Sequence, residues 1–338
     1  LKGVIMAATI RDIRDRTGLS LATISKYLNG GNVLPRNREL IEEAIDALHY
    51  EVNELARGLV TNRTKTIGVL VYDIQCFFVG NMLHHLGQEL HKNGYGMLIC
   101  DSCNDEEMEK ANLQFLLSRK VDGILVFAVS LTGEFIKPAK KAGIPVVLID
   151  RAFRGEEADC VEVDNRTALF RAAQMLIENG HHRIALIASN IEYTGLERRK
   201  GYEDALRKFE INVPDEYRVC GKHSFELGYE GMQRLLKLDP PPTAVILSNY
   251  DTTLGGILAL NESGLNCPAD ISVIGFDDLL MSKIIRPKLW IVSQPMREMA
   301  AKAVEMLLAR ISREEQGGPL RVSFTAEMQE GRSIRKII

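Results

Sequence analysis

Two successive series of short apolar runs constrain the fold of this chain more than any other feature. The first series is IGVLV (67–71), YGMLIC (95–100), GILVF (123–127) and VVLI (146–149), and the second is RIALIA (183–188), AVILS (244–248) and SVIGF (272–276). Continuous β-branched runs bounded by Gly, Pro and Asp are typical of parallel strands covered on both faces. Segments with helical periodicity, such as 79–93 and 196–209, lie between them and indicate right-handed βαβ units. The expected fold class is α/β, with two doubly wound parallel-sheet subdomains facing each other.

The residues before this region have a purely helical pattern. Thr9 is placed to cap a first helix that ends at Gly18, Ser20 to cap a second, and Pro35 to begin a third. Three helices in so short a segment predict a small all-α headpiece over residues 7–52.

The segment NELARGLVTNRTK (53–65) has the pattern of a joint between the headpiece and the α/β region. Asn53 can cap a helix of about seven residues that contains Gly58, and an interior glycine costs such a helix roughly 1 kcal/mol. We therefore expect a helix that forms only when something else packs against it.

Composition excludes several classes of protein. A chain of 338 residues with 46% hydrophobic and 26% charged residues is typical of a soluble globular protein with two or three compact units. Its apolar runs are far shorter than the roughly 20 residues that span a bilayer, and its first residues lack the pattern of a secretion signal. Of the six cysteines only Cys100 and Cys103 form a C-x-x-C, and the other four are scattered, which favours a reduced, cytoplasmic protein without a metal site or cofactor. No phosphate-binding or catalytic-triad motif indicates an enzyme.

The glycine turn between the first two helices has the spacing of a helix-turn-helix. In that arrangement the second helix enters the major groove of DNA. Its Leu21 and Ala22 lack hydrogen-bonding groups, which predicts apolar contacts with thymine methyls. The residues expected to contact DNA in the headpiece are Thr9, Ser20, Leu21, Ala22, Thr23, Ser25, Lys26 and Asn29. On this pattern alone, a helical hairpin with a solvated polar face stays an equal alternative.

A series of motifs in one order resembles the LacI/GalR family of bacterial transcriptional repressors. The motifs are TIRDIRDRTGLSLATISKYLNG (9–30), NELARGL (53–59), VDGIL (121–125), IPVVLIDR (144–151), GHHRIALI (180–187), ER-x-x-GY (197–202), GYEGM-x-x-LL (228–236), DISVIGFDD (270–278) and SQP (293–295). The resemblance covers essentially the whole chain from residue 9 onward. It implies a repressor with an operator-binding headpiece and an effector-binding core.

The resemblance gives the joint a role as a hinge helix that contacts DNA in the minor groove. Two such helices pair in a dimer, and a leucine from each opens a central base step; the matching residue here is Leu59. Leu59 as a core residue at the domain junction is the alternative. The other contacts implied in this segment are Asn53, Ala56 and Arg57.

The resemblance also implies an effector pocket between the two subdomains, at the carboxyl ends of their strands. The residues carried over are Asp73, Phe77, Phe127, Asp150, Arg198, His223, Tyr250 and Asp277. Carboxylates and an arginine can hold the hydroxyls of a sugar or the carboxylate of a sugar acid. For the aspartates, the alternative is a capping role in the loops after the strands.

This pocket departs from the family pattern at several positions. QCFF replaces the usual SNPFF, Tyr250-Asp251 replaces an Asn-Asp pair, and His223 replaces an aromatic residue. We therefore expect a sugar or sugar derivative but transfer no particular ligand.

The overall expectation is a cytoplasmic, homodimeric repressor of a pseudo-palindromic operator, without membrane attachment. The hinge helix and linker occupy 53–65 and the core 66–338, with an N-subdomain of 66–164 and 294–320 and a C-subdomain of 165–293 and 321–338. A periplasmic-type solute-binding protein and a sugar-converting enzyme are the alternatives from other classes.

Overall fold

A computed structural model describes residues 8–28, 30–50, 63–153, 158–277 and 284–337. The chain divides into two compact units, Leu1–Thr64 and Lys65–Ile338. The division falls where the sequence pattern changes from helical to alternating strand and helix.

The described part of the headpiece contains three helices: α1 (Ile10–Thr17), α2 (Leu21–Leu28) and α3 (Pro35–Leu48). Ile13, Ile24, Ile41 and Ala44 form its fully buried centre, one or two residues from each helix. The Tyr27 hydroxyl donates to Glu42 Oε1 at 2.6 Å, which ties α2 to α3.

The turn between α1 and α2 has the conformation that its sequence requires. Gly18 ends α1 with φ of 70°, a left-handed conformation that glycine adopts without steric cost. The N–H of Thr23 donates to Ser20 Oγ at 3.1 Å, which confirms Ser20 as the cap of α2.

Two six-stranded sheets form the second unit. The strands of the first are β1 (Thr66–Val71), β2 (Gly96–Asp101), β3 (Gly123–Val126), β4 (Val146–Ile149), β5 (Asp159–Val163) and β11 (Arg321–Phe324). All of them are parallel, in the spatial order β11-β5-β4-β3-β1-β2.

The second sheet repeats this arrangement. Its strands are β6 (Ile184–Ser189), β7 (Arg218–Gly221), β8 (Ala244–Leu247), β9 (Ser272–Phe276), β10 (Trp290–Ser293) and β12 (Glu327–Gln329), in the order β12-β10-β9-β8-β6-β7. Among its described strands, β12 alone is antiparallel to its neighbour. The fold class predicted from the apolar runs is confirmed, because every run became a strand of the expected sheet.

Helices cover the faces of these sheets. They are α4 (Phe77–Lys92), α5 (Glu106–Ser118), α6 (Lys137–Lys141), α7 (Asn165–Glu178), α8 (Tyr193–Lys208), α9 (Phe225–Leu236), α10 (Tyr250–Ser263) and α11 (Met296–Ser312). We call the first sheet with its helices the N-lobe and the second the C-lobe.

The chain passes between the lobes three times. Two crossings follow β5 and β10, as predicted near 164 and 293. The predicted third boundary, at 321, is wrong. Strand β11 pairs in parallel with β5, from Arg321 opposite Cys160 to Phe324 opposite Val163, so the crossing lies between 324 and 327.

Candidate DNA-binding and effector-binding sites

The exposed face of α2 carries the side chains that were predicted to contact DNA. Ser20, Leu21, Ala22 and Lys26 are exposed, whereas Thr23 and Ser25 are half-buried. Ala22, Thr23 and Lys26 line a concave surface together with residues 32–35 and 37. The helix therefore offers a largely apolar N-terminal end and one lysine, as its sequence predicted.

Thr9 lies at the start of α1 and is also exposed. Its N–H and its hydroxyl both donate to Asp12 Oδ2, at 2.7 and 2.8 Å. Five of the predicted DNA contacts, Asn29, Asn53, Ala56, Arg57 and Leu59, lie outside the described residues, as does most of the predicted hinge.

In the core, the carboxyl ends of both sheets bring most of the predicted effector residues together. Asp73 and Asp150 follow β1 and β4 in the N-lobe. His223, Tyr250 and Asp277 follow β7, β8 and β9 in the C-lobe. Ligands of open α/β sheets bind at this edge. We call this region the cleft.

Arg198 is the central cation of the cleft, with 3% of its surface exposed. Its Nε donates to Asn165 Oδ1 at 2.7 Å, and its Nη1 donates to the carbonyl oxygen of Ser248 at 2.6 Å. Its guanidinium carbon lies 3.7 Å from the ring centroid of Phe276. Burial lowers the pKa of Arg198, against the charges of Asp277 and Asp150, which raise it.

Asp150 and Asp277 occupy equivalent positions after β4 and β9. Their φ angles are 72° and 71°, a left-handed region that costs of order 1–3 kcal/mol per non-glycine residue. Their N–H groups donate to Val161 and Val292, at 2.9 and 2.8 Å. Backbone strain of this kind at matching points of two sheets is typical of a functional site.

The two carboxylates have different partners. Asp150 Oδ2 lies 3.7 Å from Arg151 Nε, and burial raises the pKa of Asp150 to about 6, against the opposing effect of Arg151 and Arg198. Asp277 Oδ1 accepts from the amide of Gln294 at 2.6 Å, at the second crossing between the lobes.

Among the residues that the structure describes, the hydrogen-bond partners of His223 lie at Nε2. Its Nε2 accepts from the N–H of Ser189 at 3.1 Å and lies 3.1 Å from Ser248 Oγ. Burial, with the charges of Arg198 and Arg151, lowers the pKa of His223 well below its usual value. A neutral ring that accepts at Nε2 carries its proton on Nδ1, which lies 3.8 Å from Glu192 Oε2.

An aromatic pair joins the two lobes. Phe77, at the start of α4, stacks on Tyr250, at the start of α10, with ring centroids 4.0 Å apart and planes within 7°. Beside Phe77 is a cavity of about 260 Å³, lined also by Asn81, His85 and residues 293–298. Of the predicted effector residues, only Phe77 lines this cavity.

One residue predicted to contact the effector lies in the core of the N-lobe. Phe127 has no exposed surface and packs edge-on against Phe78, with ring centroids 6.3 Å apart, inside the N-lobe core. Successive side chains along a strand point in opposite directions, so a residue just beyond a buried strand can face either the core or the cleft. The apolar run at 123–127 does not indicate which of the two applies to Phe127.

Three polar residues of the cleft were missed by the sequence argument. Arg151 completes the motif LIDR, Gln294 lies in SQP, and Glu192 directly precedes α8. The first two were inside motifs that had been recognised, so position in the motif was the available signal. Glu192 carried no signal, because a lone glutamate before a helix is ordinary capping sequence.

A buried glutamate holds the loop behind the cleft. Glu109 on α5 accepts from the N–H of Val129 at 2.6 Å and from that of Ser130 at 3.2 Å, while Arg151 Nη1 donates to the Ala128 carbonyl at 3.0 Å. Burial raises the pKa of Glu109 to about 7 from its ordinary value of 4.5. The loop 128–130 is therefore fixed by two ionisable groups.

This raised pKa predicts that the contribution of Glu109 to stability falls with rising pH. Between about pH 4.5 and 7 the folded state keeps the Glu109 proton while the unfolded state has lost it, so the free energy of unfolding decreases across this window. A shift of this size corresponds to roughly 3 kcal/mol. Urea denaturation of wild type and Glu109→Gln at pH 5 and pH 8 measures this contribution: between the two pH values the free energy of unfolding of wild type should fall more, or rise less, than that of the variant. The lowered pKa values of His181 and His223 act in the opposite direction and are common to both proteins.

The matched control is Glu107→Gln on the same helix. Glu107 is exposed and pairs with Lys110 at 2.6 Å, so its replacement should leave the pH dependence unchanged. If the free energy of unfolding depended on pH equally in wild type and in Glu109→Gln, the raised pKa assigned to Glu109 would be contradicted.

Neither a metal site nor a membrane span is present in the part of the chain that the structure describes. Over residues 8–28, 30–50, 63–153, 158–277 and 284–337, no three His, Cys, Asp or Glu side chains cluster as metal ligands. None of the helices described combines the length and apolarity that a membrane crossing requires.

The fold and the cleft together define the class of the protein: a helix-turn-helix unit followed by a two-lobed core of the kind that binds ligands between its lobes. Residues 173–334 match the periplasmic binding protein-like domain family. The structure is similar to that of a transcriptional regulator CelR–cellobiose complex, with a TM-score of 0.72 and 26% identity over 96% of this chain and 99% of that one.

Two sequence relatives identify the family. The chain is 33% identical to catabolite control protein A of Priestia megaterium over 312 residues, which is 91% of this chain and 94% of that protein. It is 30% identical to the HTH-type transcriptional repressor PurR of Actinobacillus pleuropneumoniae serotype 3 (strain JL03), over 98% of this chain and 99% of the relative. The chain belongs to the LacI/GalR family of transcriptional repressors, whose members are regulators and not enzymes.

Proposed function

We propose that this protein is a homodimeric repressor whose affinity for a pseudo-palindromic operator is controlled by a sugar-like effector bound in the cleft. The observation that carries the proposal is the convergence of Asp150, Arg198 and Asp277 at the facing sheet edges of two lobes. Buried ionic groups placed together at this edge, with strained backbone at both aspartates, are costly for stability and favour a binding role. The cellobiose complex of a structural neighbour supports a sugar as ligand.

The headpiece supports the DNA-binding part of the proposal. The exposed apolar end of α2, at Leu21 and Ala22, suits contacts with thymine methyls, and Lys26 one turn further suits a phosphate. A two-fold dimer presents two such helices to two half-sites, so the operator should be an inverted repeat.

Control by the effector follows from the way the lobes are joined. Gln294 lies at a crossing segment and bonds Asp277, while Phe77 and Tyr250 stack from opposite lobes. A ligand that binds these groups favours one relative angle of the lobes and shifts the population of that state. We propose that the angle sets the spacing of the two hinge segments in the dimer, and thereby operator affinity.

The test is selection of DNA sites from a random library with the full chain. An enriched inverted repeat is expected, and its affinity, measured by fluorescence anisotropy, should change when a sugar that raises the Tm is added. Enrichment of no sequence would contradict the DNA-binding role. An enriched site whose affinity no stabilising ligand alters would contradict effector control.

The proposed minor-groove leucine gives a separate prediction. Leu59→Ala should weaken operator binding by roughly 10-fold or more and reduce the DNA bend, because no apolar side chain would then open the base step. Gel mobility of circularly permuted operator fragments measures the bend. Leu265→Ala, at an exposed leucine of the core, is the control and should change neither quantity. An unchanged bend with Leu59→Ala would exclude the wedge role.

A further inference from the structure

Three side chains form a closed ring of hydrogen bonds across the boundary between the lobes. The Tyr193 hydroxyl donates to Glu162 Oε2 at 3.0 Å, Arg321 Nε donates to Glu162 Oε1 at 2.5 Å, and Arg321 Nη2 donates to the Tyr193 oxygen at 2.7 Å. Glu162 and Arg321 lie on β5 and β11 of the N-lobe, whereas Tyr193 is the first residue of α8 in the C-lobe. We call these three residues the latch.

The carboxylate of the latch is buried in the N-lobe. Glu162 has 5% of its surface exposed, and β5 is buried along its whole length. A carboxylate in such a strand is costly unless donors satisfy both of its oxygens. Arg321 satisfies one oxygen from the neighbouring strand, and Tyr193 satisfies the other from the opposite lobe. The Tyr193 ring also packs against a buried apolar cluster of the N-lobe. A residue of the C-lobe therefore completes the environment of Glu162.

Tyr193 keeps the proton that it donates. Burial and the charge of Glu162 raise the pKa of Tyr193 above its ordinary value, against the opposing charge of Arg321. At neutral pH the ring of bonds therefore contains a neutral hydroxyl between a carboxylate and a guanidinium. Both bonds that cross between the lobes involve a charged group, and such bonds are roughly twice as strong as those between neutral groups. Separation of the lobes at this point breaks both of them.

The latch and the aromatic pair of Phe77 and Tyr250 lie on opposite sides of the cleft. The N-lobe sheet has the order β11-β5-β4-β3-β1-β2, so the two strands of the latch form one edge, and Phe77 follows β1 near the other. Asp150 follows β4, between the two contacts. Both strands of the latch also lead directly into crossing segments, after Val163 and Phe324. Two contacts that flank the cleft restrain the relative angle of the lobes more firmly than either contact alone.

One helix joins the latch to the cleft. Tyr193 begins α8, and Arg198 follows on the same helix, roughly 7.5 Å further along its axis at about 1.5 Å per residue. Arg198 is fixed within the C-lobe by its bond to Asn165 Oδ1 at 2.7 Å. Tyr193 and Arg198 therefore move together as parts of one rigid element. A ligand that draws Arg198 towards Asp150 of the N-lobe also brings Tyr193 to its partners in that lobe.

We propose that the latch holds the two lobes in the arrangement that binds the effector, which makes Tyr193 a positioning residue for the control of operator affinity. This inference rests on the proposed function, and it places part of the control outside the effector site. With the latch closed, the cleft residues of both lobes face the same ligand, and with the latch open they are farther apart. The latch and the effector therefore stabilise the same arrangement, and each favours the other.

The experiment measures the distance between the lobes in the full chain without any ligand. Spin labels are placed at the exposed positions of Glu107 on α5 and Arg234 on α9, by a chemistry that does not use thiols because the chain has six cysteines. Labelled chains are diluted with unlabelled ones, so that pulsed electron resonance measures distances within one chain. Tyr193→Phe removes the hydroxyl and keeps the ring. It should raise the ratio of separated to latched lobes about 10-fold, for instance from about 10% to about 50% separated.

Tyr229→Phe is the matched control. The Tyr229 hydroxyl also donates to a carboxylate, that of Glu262 at 2.5 Å, but both residues belong to the C-lobe, so the distances between the lobes should not change. Tyr193→Phe combined with Glu162→Gln should separate the lobes less than the sum of the two single changes, because both act on the same bond. Wild-type distances in Tyr193→Phe, or additive effects of the two changes, would overturn the latch.

Operator affinity separates this inference from the proposed function. It is measured without sugar, on the inverted repeat enriched from the library. The expected shift in population lowers the affinity of Tyr193→Phe about 2-fold if the latched arrangement binds DNA, and raises it about 5-fold if the separated arrangement does. An unchanged affinity overturns the positioning role while the proposed function stands. If wild type enriches no sequence, the proposed function fails and the positioning role fails with it, whereas the distances between the lobes still decide whether the latch exists.

Discussion

Replacing Arg198 by Ala should abolish the response to effector and lower the free energy of unfolding by about 3–5 kcal/mol. The loss of stability is expected because the side chain is almost fully buried and its removal leaves Asn165 Oδ1 and the Ser248 carbonyl without this donor. It also removes the positive charge that offsets Asp150 and Asp277. Urea denaturation and effector-dependent operator binding measure the two effects.

Two variants separate function from stability in this experiment. Arg199→Ala changes the adjacent residue, whose Nε lies 2.7 Å from Glu203 near the surface, and should cost less than about 1 kcal/mol with a normal response. Arg198→Lys keeps the charge but not the planar fork, so it should fold better than Arg198→Ala and still respond poorly. A normal effector response in either Arg198 variant would remove this residue from the proposed site.

Replacing Gly201 by Ala should destabilise the C-lobe by roughly 3 kcal/mol or more. A Cβ at this position would lie 1.9 Å from the carbonyl oxygen of Arg166, so the backbones of α7 and α8 would have to separate. The next residue, Tyr202, is fully buried and donates to the Ile184 carbonyl at 2.8 Å, which prevents α8 from moving away freely. Chemical denaturation of the full chain measures the effect.

Gly80→Ala is the matched control. Gly80 is also inside a helix, but it is exposed and has no atom within 4 Å of an added Cβ. Alanine there should stabilise the chain by about 0.5–1 kcal/mol, because it restricts the unfolded chain and favours helix. If both substitutions had the same sign, close approach of α7 would not be the reason for glycine at 201.

Six of the seven strands that the sequence predicted lie inside their sheets, and the seventh, β2, lies at an edge. Runs such as 67–71 and 272–276 are buried on both faces, so burial alone requires continuous apolar residues. The strands that the sequence did not predict lie at an edge of their sheet or next to the edge strand: β5, β7, β10, β11 and β12. Strand β11 has the pattern RVSF, exposed at alternate residues, and β12 has only three residues. Such strands form because a neighbouring strand pairs with them, and the local sequence pattern does not show this pairing.

The same distinction applies to the cleft. The resemblance placed Asp150, Arg198 and Asp277 together, and the structure agrees. It could not tell that Phe127 faces the core, because one residue of difference along a strand reverses the side-chain direction. It could not assign partners either, since the bond from Gln294 to Asp277 joins residues 17 positions apart through a sheet edge.

The sequence by itself determined the headpiece, the two α/β lobes and the family, because each depends on short-range periodicity, capping and motifs in order. Only the tertiary structure decided which lobe contains β11, how the charges of the cleft are paired, and why glycine occupies position 201. These features depend on distances between segments far apart in the chain. The physical reason is that burial, charge compensation and close backbone approach are properties of neighbours in space.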